Sequence, residues 1–271
     1  MPALYVVATP IGNLEDITLR AIRTLREVKL IAAEDTRHTK RLLNAYNIKT
    51  PVTSYHEHNK LTKLDYILSR LEAEDVALVS DAGTPGISDP GYELIMAANQ
   101  RSISVVPIPG PSVIITALVV SGLPTNAFIY QGFMPHRASE RRRLLESIAG
   151  ERRTVVLFES PHRLLASLKD MLSILDDRKI AVCRELTKLY EEIFHGTISQ
   201  AIEHFTEPRG EFTLVIEGAK EETRPEVTRD IEQKLSRMRK TGLTAKEAIA
   251  KVAGETGLPK KELYRAWIKI A

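Results

Sequence analysis

The first part of the chain alternates short runs of β-branched and apolar residues with longer amphipathic stretches. The runs with strand character are residues 4–8, 30–33, 52–55, 76–79 and 103–108. Between these runs, apolar residues recur at helical spacing, as at Leu19, Ile22 and Leu25. This alternation is typical of a parallel sheet with helices on its faces. A small apolar helix predicted over residues 113–120 ends the pattern, because Gly122 follows it closely.

The pattern changes at residue 128, where the strand-like runs become less regularly spaced. These runs are residues 128–133, 154–158, 180–183 and 212–216, and residues 137–145 and 164–175 are the predicted helices between them. Less regular alternation favours an antiparallel or mixed sheet. We therefore predict an α/β fold with an N-terminal domain over residues 1–123 that has a mostly parallel sheet, and a second α/β domain over residues 124–219 that has a mixed sheet.

Residues 220–271 are charged and helix-forming, and they contain no further β-rich run. Thr244 and Glu247 have the spacing of a capping box, Gly257 is a plausible helix stop, and Pro259 suits the first turn of a last helix. We predict a helical tail with two interpretations, either a small packed appendage or a helix-turn-helix-like segment that contacts RNA. The basic residues available for such contact are Lys246, Lys251, Lys260, Lys261 and Arg265.

Composition narrows the class of protein only moderately. The chain has 271 residues, with 38 lysines and arginines against 35 aspartates and glutamates, an excess that permits an anionic partner without requiring one. Cys183 is the single cysteine, so an internal disulfide and a multi-cysteine metal site are excluded, which is typical of a reducing compartment. The sequence has neither a signal-peptide pattern nor an apolar run of about 18 residues. We therefore expect a cytoplasmic protein without a membrane span.

The most informative segment is Ser-Asp-Ala-Gly-Thr-Pro-Gly-Ile-Ser-Asp-Pro-Gly at residues 80–91, directly after a predicted strand. Its glycines and prolines let the backbone approach a ligand closely, and its aspartates supply hydrogen-bond acceptors. Similar loops follow the first, second and fifth strands, at residues 9–13, 34–37 and 109–112. The carboxyl ends of parallel strands share one edge, so we predict that the four loops line one crevice. Residues 88–91 have a second interpretation, as the cap of the following helix.

The motifs that are absent limit what this crevice binds. Neither Gly-x-x-x-x-Gly-Lys-Ser/Thr nor, after the first strand, Gly-x-Gly-x-x-Gly occurs, so the crevice suits a cofactor with a polar sugar, a charged tail and a flat base. His56 and His58 could share one face of a strand, but no third ligand has a recognisable spacing, and no metal is predicted. A cluster of arginines indicates either a solvated helix face or a groove for nucleic acid. The cluster comprises Arg137, Arg141, Arg142, Arg143, Arg152 and Arg153.

Seven segments, in order along nearly the whole chain, resemble one family. They are residues 9–17, 33–37, 80–91, 109–112, 159–163, 184–188 and 210–218. Together they are similar to the cytidine 2′-O-methyltransferase branch of the tetrapyrrole methylase superfamily. The resemblance implies a two-domain, tetrapyrrole-methylase-like α/β enzyme that binds S-adenosylmethionine between its domains. It also implies a homodimer whose substrate is a cytidine ribose in the decoding centre of 16S ribosomal RNA, either as free small-subunit RNA or within the 30S particle.

The resemblance also implies roles for individual residues. The implied cofactor-binding residues are Pro10, Asp81, Ala82, Gly83, Thr84, Ser112 and Val113. The implied substrate-binding residues are Gly12, Asn13, Glu34, Arg37, Arg163 and Arg184. Candidates for the general base that accepts the 2′-hydroxyl proton are Asp35, Glu159, Glu185 and Lys188, the last through a lowered pKa. An ion pair with one of the three arginines just named is the alternative role of each acid.

Two other functions are compatible with these motifs. A small-molecule methylase of the tetrapyrrole type shares the fold, although the arginine cluster argues against it. A non-catalytic assembly factor that binds ribosomal RNA would retain only a vestigial pocket. Binding of S-adenosylmethionine separates this factor from both enzymes, because the factor alone would fail to bind the cofactor.

Overall fold

The fold is known from a computed structural model that describes residues 2–220 and 227–270. Met1–Ala219 form one compact unit, and Lys220–Ala271 form a second. Within the described residues, no helix is both long and apolar enough to cross a membrane.

Five parallel strands form the first sheet of the larger unit. They are β1 (Ala3–Val7), β2 (Leu30–Ala33), β3 (Val52–Ser54), β4 (Val76–Val79) and β5 (Ser104–Ile108). Their order in the sheet is β3-β2-β4-β1-β5. Every residue of β2 and β4 is buried, as expected for central strands with helices on both faces. The parallel sheet predicted for the first part of the chain is therefore confirmed.

Helices cover both faces of this sheet. They are α1 (Leu19–Glu27), α2 (Thr36–Ala45), α3 (Lys60–Leu71) and α4 (Tyr92–Gln100). Successive side chains of a strand point to opposite faces, so neighbouring residues of β2 belong to different cores. Ile31 packs with Leu25 of α1, whereas Leu30 packs with Leu68 of α3.

The second sheet is mixed, as predicted. Its strands are β6 (Phe128–Phe133), β7 (Thr154–Glu159), β8 (Lys179–Arg184), β9 (Glu192–Thr197) and β10 (Phe212–Ile216), and the helices of this region are α5 (Val113–Val120), α6 (Ala138–Ile148), α7 (Leu164–Leu175) and α8 (Ile198–His204). The strand order is β6-β7-β10-β8-β9. β6 and β7 pair in parallel, and the remaining pairs are antiparallel.

Two elements of this region are missed by the sequence patterns, β9 and α8. β9 is an edge strand that pairs only with β8, and none of its residues is fully buried, so its apolar alternation is weak. α8 has only seven residues, although a capping box between Thr197 and Gln200 marks its start. Short elements at the edge of a sheet contain too few buried side chains to produce a clear period.

One face of the second sheet packs against α5 and against the loop that follows β1. The buried contact includes Ile11 from that loop, Leu118 from α5, and Val156 and Val215 from the second sheet. The carboxyl edge of the first sheet is therefore in contact with the second sheet. Since both sheets belong to one compact unit, the domain boundary at residue 123 stays a prediction.

Within residues 227–270, the smaller unit consists of the helices α9 (Arg229–Lys240), α10 (Ala245–Thr256) and α11 (Lys260–Lys269). Leu235, Val252 and Trp267 bring the three helices together in one core. The predicted capping box between Thr244 and Glu247 starts α10, and Gly257 follows α10 with a left-handed φ of 70°. Sequence patterns miss α9, because most of its exposed residues are charged and its apolar positions are few.

Candidate functional site

Three of the four loops predicted to share a crevice meet at Gly83. Thr9 and Gly83 exchange backbone hydrogen bonds of 2.9 and 3.0 Å, and the Thr9 hydroxyl donates to the Ser80 carbonyl at 3.2 Å. Gly83 has a φ of 73°, and a Cβ there would lie 3.5 Å from Cγ2 of Ile11 and 3.8 Å from the carbonyl oxygen of Pro111. The loops after β1, β4 and β5 therefore come together around a backbone that only glycine accommodates without strain.

The loop after β2 joins them through Asp81. The backbone N–H of Asp35 donates to Oδ1 of Asp81 at 3.0 Å, and the backbone N–H of Asp81 donates to Oε2 of Glu34 at 3.2 Å. These reciprocal bonds hold two acidic loops side by side at the carboxyl edge of the first sheet. A small pocket beside them is bordered by Pro10, His38 and Asp81.

Glu34, Asp81 and Asp89 form a group of acids at this edge, here called the acidic trio. Burial raises the pKa of Asp89 to about 7, and the negative charges of Glu34 and Asp81 act in the same direction against a hydrogen bond from Ser80. Burial also raises the pKa of Glu34. Within the described residues, no lysine or arginine forms a salt bridge with any member of the trio. The trio is thus a group of acids that no described lysine or arginine neutralises in a salt bridge, although the charge of Arg37 acts on Asp81.

Asp89 does not cap the following helix. The N-cap position of α4 is occupied by Gly91, and no side-chain hydrogen bond caps this helix. Asp89 instead lies near Glu34 and Asp81, which are far from it in the sequence. The sequence marks Asp89 only as a hydrogen-bond acceptor of this loop and assigns it no role in the candidate site. A second aspartate in the same Gly- and Pro-rich loop was the only signal for it.

The other residues implied in cofactor binding lie on the same loops. Pro10 is buried, Ala82 and Thr84 are exposed, and Ser112 is half-buried directly before α5. The Ser112 hydroxyl makes no capping hydrogen bond at this helix start. Val113, also half-buried, packs into the cluster between α5 and the second sheet. The structure thus brings these positions together with the acidic trio.

The first loop also reaches the second sheet. The backbone N–H of Asn13 donates to the Thr187 hydroxyl at 3.1 Å. A Cβ on Gly12 would lie 2.5 Å from Cγ of Lys188 and 2.7 Å from the Thr187 hydroxyl, so only glycine allows this approach. On the other side, the hydroxyls of Ser88 and Tyr130 share a hydrogen bond of 2.5 Å. These contacts bring Gly12, Asn13 and Lys188 to one place between the sheets.

Lys188 is not the neutral base that the sequence predicts as one candidate. Its ammonium group donates to Glu185 at 3.0 Å and to Glu211 at 2.8 Å. Burial lowers the pKa of Lys188, but the two carboxylates outweigh burial, so the pKa is raised and the expectation of a lowered pKa is wrong. Burial likewise raises the pKa of Glu185, but the Glu211 N–H and Lys188 outweigh it, and this pKa is lowered. The group is an ion-pair cluster.

Asp35 is held in the same way by Arg37. Its carboxylate accepts from the Arg37 side chain at 2.7 Å and caps α2 by accepting from the Arg37 backbone N–H, also at 2.7 Å. These bonds lower the pKa of Asp35 far below its usual value. A carboxylate with so low a pKa accepts protons poorly, which argues against Asp35 as the general base. The Arg37 side chain is 87% exposed and remains accessible to an anion.

Glu159 is buried in a structural network. It accepts hydrogen bonds from the Ser160 backbone N–H at 2.6 Å, from Nε of Arg163 at 2.9 Å and from the Ser167 hydroxyl. Arg163 also contacts a ring nitrogen of His136. The arrangement favours the ion-pair alternative for Glu159. No hydrogen bond or ion pair among the described residues connects this acid with the acidic trio.

The remaining arginines of the second sheet have acidic or carbonyl partners as well. Arg184 donates to the Arg209 carbonyl at 2.7 Å and to Glu192 at 3.2 Å. In the predicted arginine cluster, Arg141 is nearly buried, and it shares the carboxylate of Asp170 with Arg142. Arg141 and Arg142 therefore link α6 to α7, and a nucleic-acid groove formed by the cluster stays a prediction.

His56 and His58 lie with their ring centroids 6.1 Å apart. The part of the chain that the structure describes contains no group of three His, Cys, Asp or Glu side chains arranged to hold a metal ion.

A parallel sheet whose carboxyl edge presents acidic loops to a mixed sheet defines a class of α/β protein. Two solved structures share this fold. Uroporphyrin-III-C-methyltransferase from Thermus thermophilus superposes with a TM-score of 0.58 at 19% identity, covering 80% of this chain and 94% of that one. A diphthine synthase superposes with a TM-score of 0.64 at 13% identity, covering 79% and 90%. At such identities the likeness establishes the fold alone.

The chain belongs to the family described as Tetrapyrrole (Corrin/Porphyrin) Methylases, whose sequence model matches residues 3–202. It is a methyltransferase that depends on S-adenosylmethionine. Proteins named ribosomal RNA small subunit methyltransferase I are similar over most of its length. The relative from Synechocystis sp. is 48% identical and covers 100% of this chain and 99% of its own, and that from Bacillus subtilis is 46% identical, covering 98% and 94%.

A relative of the same name from Thermotoga maritima is 52% identical over 221 residues. The match covers 99% of that protein but only 80% of this chain. About a fifth of this chain therefore has no counterpart in a relative of the same name.

The residues at the carboxyl edge fit S-adenosylmethionine. The cofactor contains a cationic sulfonium, two ribose hydroxyls and a carboxylate. The acidic trio supplies acidic groups that form no salt bridge with a described lysine or arginine, and Asp81 has one carboxylate oxygen that is not used by the Asp35 N–H. The Ser112 hydroxyl and the backbone of residues 82–84 add polar groups on neighbouring loops. The chemistry of this donor set matches what the cofactor requires.

Proposed function

We propose that the protein transfers a methyl group from S-adenosylmethionine to the ribose 2′-hydroxyl of a cytidine in the decoding centre of 16S ribosomal RNA. The observation that carries the proposal is the acidic trio, placed where the loops after β1, β2, β4 and β5 converge. The names of the relatives, at 46 to 52% identity, support RNA as the substrate.

In this proposal, the cofactor is held by the loops of the first sheet. S-adenosylmethionine supplies an electrophilic methyl group when it is bound. Asp81 binds its polar groups together with the backbone of residues 82–84, and Pro10, Ser112 and Val113 border the same space. Carboxylates near a sulfonium also stabilise its positive charge in a site that excludes water.

The proton of the 2′-hydroxyl has to leave during the transfer. An efficient general base has a pKa near the working pH, and Asp89, with a pKa raised to about 7, meets this condition. Glu34, whose pKa is also raised, is the second candidate. We propose these two acids in place of Asp35, Glu159, Glu185 and Lys188, each of which is held by a partner of opposite charge.

The RNA side of the site is proposed to include Gly12, Asn13 and Arg37. Arg37, three residues after Glu34 in the sequence, presents an exposed guanidinium that is paired with Asp35, and a guanidinium is well suited to a phosphate. Arg163 is paired with Glu159, and Arg184 is paired with Glu192. Because each glutamate cancels most of the positive charge of its arginine, we expect both arginines to attract RNA only weakly. The ion pairs favour a positioning role for both arginines.

We also propose a cytoplasmic homodimer. The single cysteine suits a reducing compartment. Exposed apolar side chains on α4 and the loop before it support a second copy as a partner, since Ile87, Tyr92 and Met96 are 49%, 65% and 40% exposed.

The test is methylation of small-subunit RNA, offered both as free RNA and as 30S particles, with isotopically labelled S-adenosylmethionine. Nucleoside analysis is expected to find label in 2′-O-methylcytidine. Asp81→Asn removes one charged hydrogen-bond acceptor and is expected to lower the rate by about 10- to 100-fold. Glu207→Gln, on an exposed pair with Arg209, is the matched control and should leave the rate unchanged. Label on a base, on a tetrapyrrole or on no substrate would contradict the proposed function.

A further inference from the structure

The positive charge of this protein is concentrated in its smaller unit. Residues 220–271 contain 13 lysines and arginines against eight aspartates and glutamates. Residues 1–219 contain 25 basic and 27 acidic residues, so they carry a slight negative excess. A compact unit with a strong basic excess attached to a slightly acidic one points to a polyanion as the partner of the basic unit.

The smaller unit also has the organisation of a nucleic-acid-binding motif. α10 ends at Thr256 and α11 begins at Lys260, so three residues connect the two helices. Gly257 makes the turn in the left-handed conformation, and Leu258 anchors it in the core at 2% exposure. Two helices joined by a short turn that contains glycine, and supported by a further helix, are the helix-turn-helix arrangement. In that motif the second helix, here α11, contacts the nucleic acid.

One outward stripe of α11 has the composition that such a contact needs. Lys261, Tyr264, Arg265 and Ile268 follow the i, i+3, i+4, i+7 spacing of one helix face, here called the α11 face. All four side chains are exposed, with Tyr264 at 52% and Ile268 at 55%. The opposite stripe of the helix is buried in the core.

The two cations of the α11 face, Lys261 and Arg265, form no hydrogen bond or ion pair among the described residues. Basic residues of α9 are instead used inside the unit, since Lys234 pairs with Glu255 and the Arg239 guanidinium lies 5.3 Å from the centre of the Trp267 ring. Unpaired cations that flank an exposed tyrosine match a phosphate backbone and an unpaired base better than they match an acidic protein.

We infer that the smaller unit is an RNA-docking module that holds the substrate through the α11 face, with Lys261 and Arg265 on phosphates and Tyr264 stacked on a base. RNA as the partner rests on the proposed function. The residues proposed to bind the cofactor all belong to residues 1–219, so we expect substitutions on the α11 face to lower the affinity for RNA and to leave the affinity for the cofactor unchanged.

The experiment measures binding of the full chain to a fluorescent, protein-free hairpin from small-subunit RNA over a range of salt concentrations. Lys261→Ala combined with Arg265→Ala is expected to lower the affinity by about tenfold or more, and to reduce the slope of log K against log salt by about 1.5. The matched control combines Lys169→Ala and Lys179→Ala, two exposed lysines of the larger unit. It should change both the RNA affinity and the salt slope less than the double variant of the α11 face does. Tyr264→Ala is expected to lower the RNA affinity by about fivefold or more. Tyr264→Phe is expected to lower it by about twofold or less, because phenylalanine keeps the stacking surface.

Unchanged RNA affinity and salt slope in the double variant would overturn the inference, as would failure of the unmodified chain to bind RNA. A loss seen with 30S particles but not with free RNA would also overturn it, because the partner would then be a ribosomal protein.

The methylation assay keeps this inference separate from the proposed function. If the unmodified chain methylates RNA and the double variant does so with an unchanged KM, only the inference fails. If no RNA is methylated while the double variant still loses RNA affinity, only the proposed function fails.

Discussion

Acidic residues near the two sheets of the larger unit differ in whether they form ion pairs. At the carboxyl edge of the first sheet, Glu34 and Asp89 have raised pKa values, and no lysine or arginine among the described residues forms a salt bridge with either. In the second sheet, Glu159 is bound to Arg163, Glu185 to Lys188 and Glu192 to Arg184. Glu34 and Asp89 are therefore partly buried without a salt bridge among the described residues, whereas Asp35 beside them and these acids of the second sheet are paired.

The difference separates two uses of a carboxylate. A paired acid fixes the structure around it, because removing either partner leaves the other charge exposed to a poorly solvating environment. An unpaired and partly buried acid is costly, and such groups are common at sites that bind cations or transfer protons. In the proposed function, the paired acids of the second sheet hold the structure around the site, and the acidic trio contacts the cofactor and the proton that is transferred.

The largest expected effect comes from breaking a pair of the second sheet. Glu159→Ala should lower the free energy of unfolding by about 3–5 kcal/mol, because it leaves Arg163 and the buried Ser167 hydroxyl without their acceptor. Denaturant unfolding measures this change. In Glu207→Ala, which breaks an exposed pair with Arg209, the loss should be too small to resolve. Equal losses of unfolding free energy in Glu159→Ala and Glu207→Ala would mean that the buried ion pair contributes no more to stability than the exposed one.

A smaller change in the free energy of unfolding, of the opposite sign, is expected when Asp89 of the acidic trio is replaced. Folded Asp89 keeps its proton up to about pH 7, whereas the unfolded chain releases it near the usual pKa of 3.8. The folded state therefore binds more protons between these values, and the stability that Asp89 contributes at low pH is lost as the pH rises through 7. For this partly exposed carboxyl, we expect the stability of Asp89→Asn relative to the unmodified chain to increase by about 2 kcal/mol between about pH 5 and pH 8.

Unfolding curves of both chains at the two pH values test this prediction, and the titration of all other groups cancels in the difference. A relative stability that stays constant with pH would show that Asp89 ionises normally in the folded chain. Its burial beside Glu34 would then not favour the protonated form, and Asp89 would lose its support as the general base.

The sequence predicted the helices and strands in which buried apolar residues form a clear pattern. β2 and β4 are buried on both faces and read as continuous apolar runs, so their positions, and the convergence of the loops that follow them, could be predicted. β9 is half-buried at an edge and α9 is mostly charged, and neither produces a pattern strong enough to identify.

The ionisation of the site could not be predicted in the same way. The partners of Lys188 include Glu211, and Arg141 is bound to Asp170, 29 residues away, so these pairs depend on tertiary packing. The pKa of Asp89 depends on burial beside Glu34, which is on another loop. A sequence motif identifies which acids are present at a sheet edge, but only the packed structure decides which of them are neutralised.

The central claim is that the unpaired acids of the first sheet, and not the paired acids of the second, bind the cofactor. Calorimetric titration with S-adenosylmethionine of the unmodified chain, Asp81→Asn and Glu185→Gln tests it most directly. We expect Asp81→Asn to weaken binding by about 10- to 100-fold and Glu185→Gln by about threefold or less. Unchanged affinity in Asp81→Asn, or a loss in Glu185→Gln as large as that in Asp81→Asn, would contradict the claim.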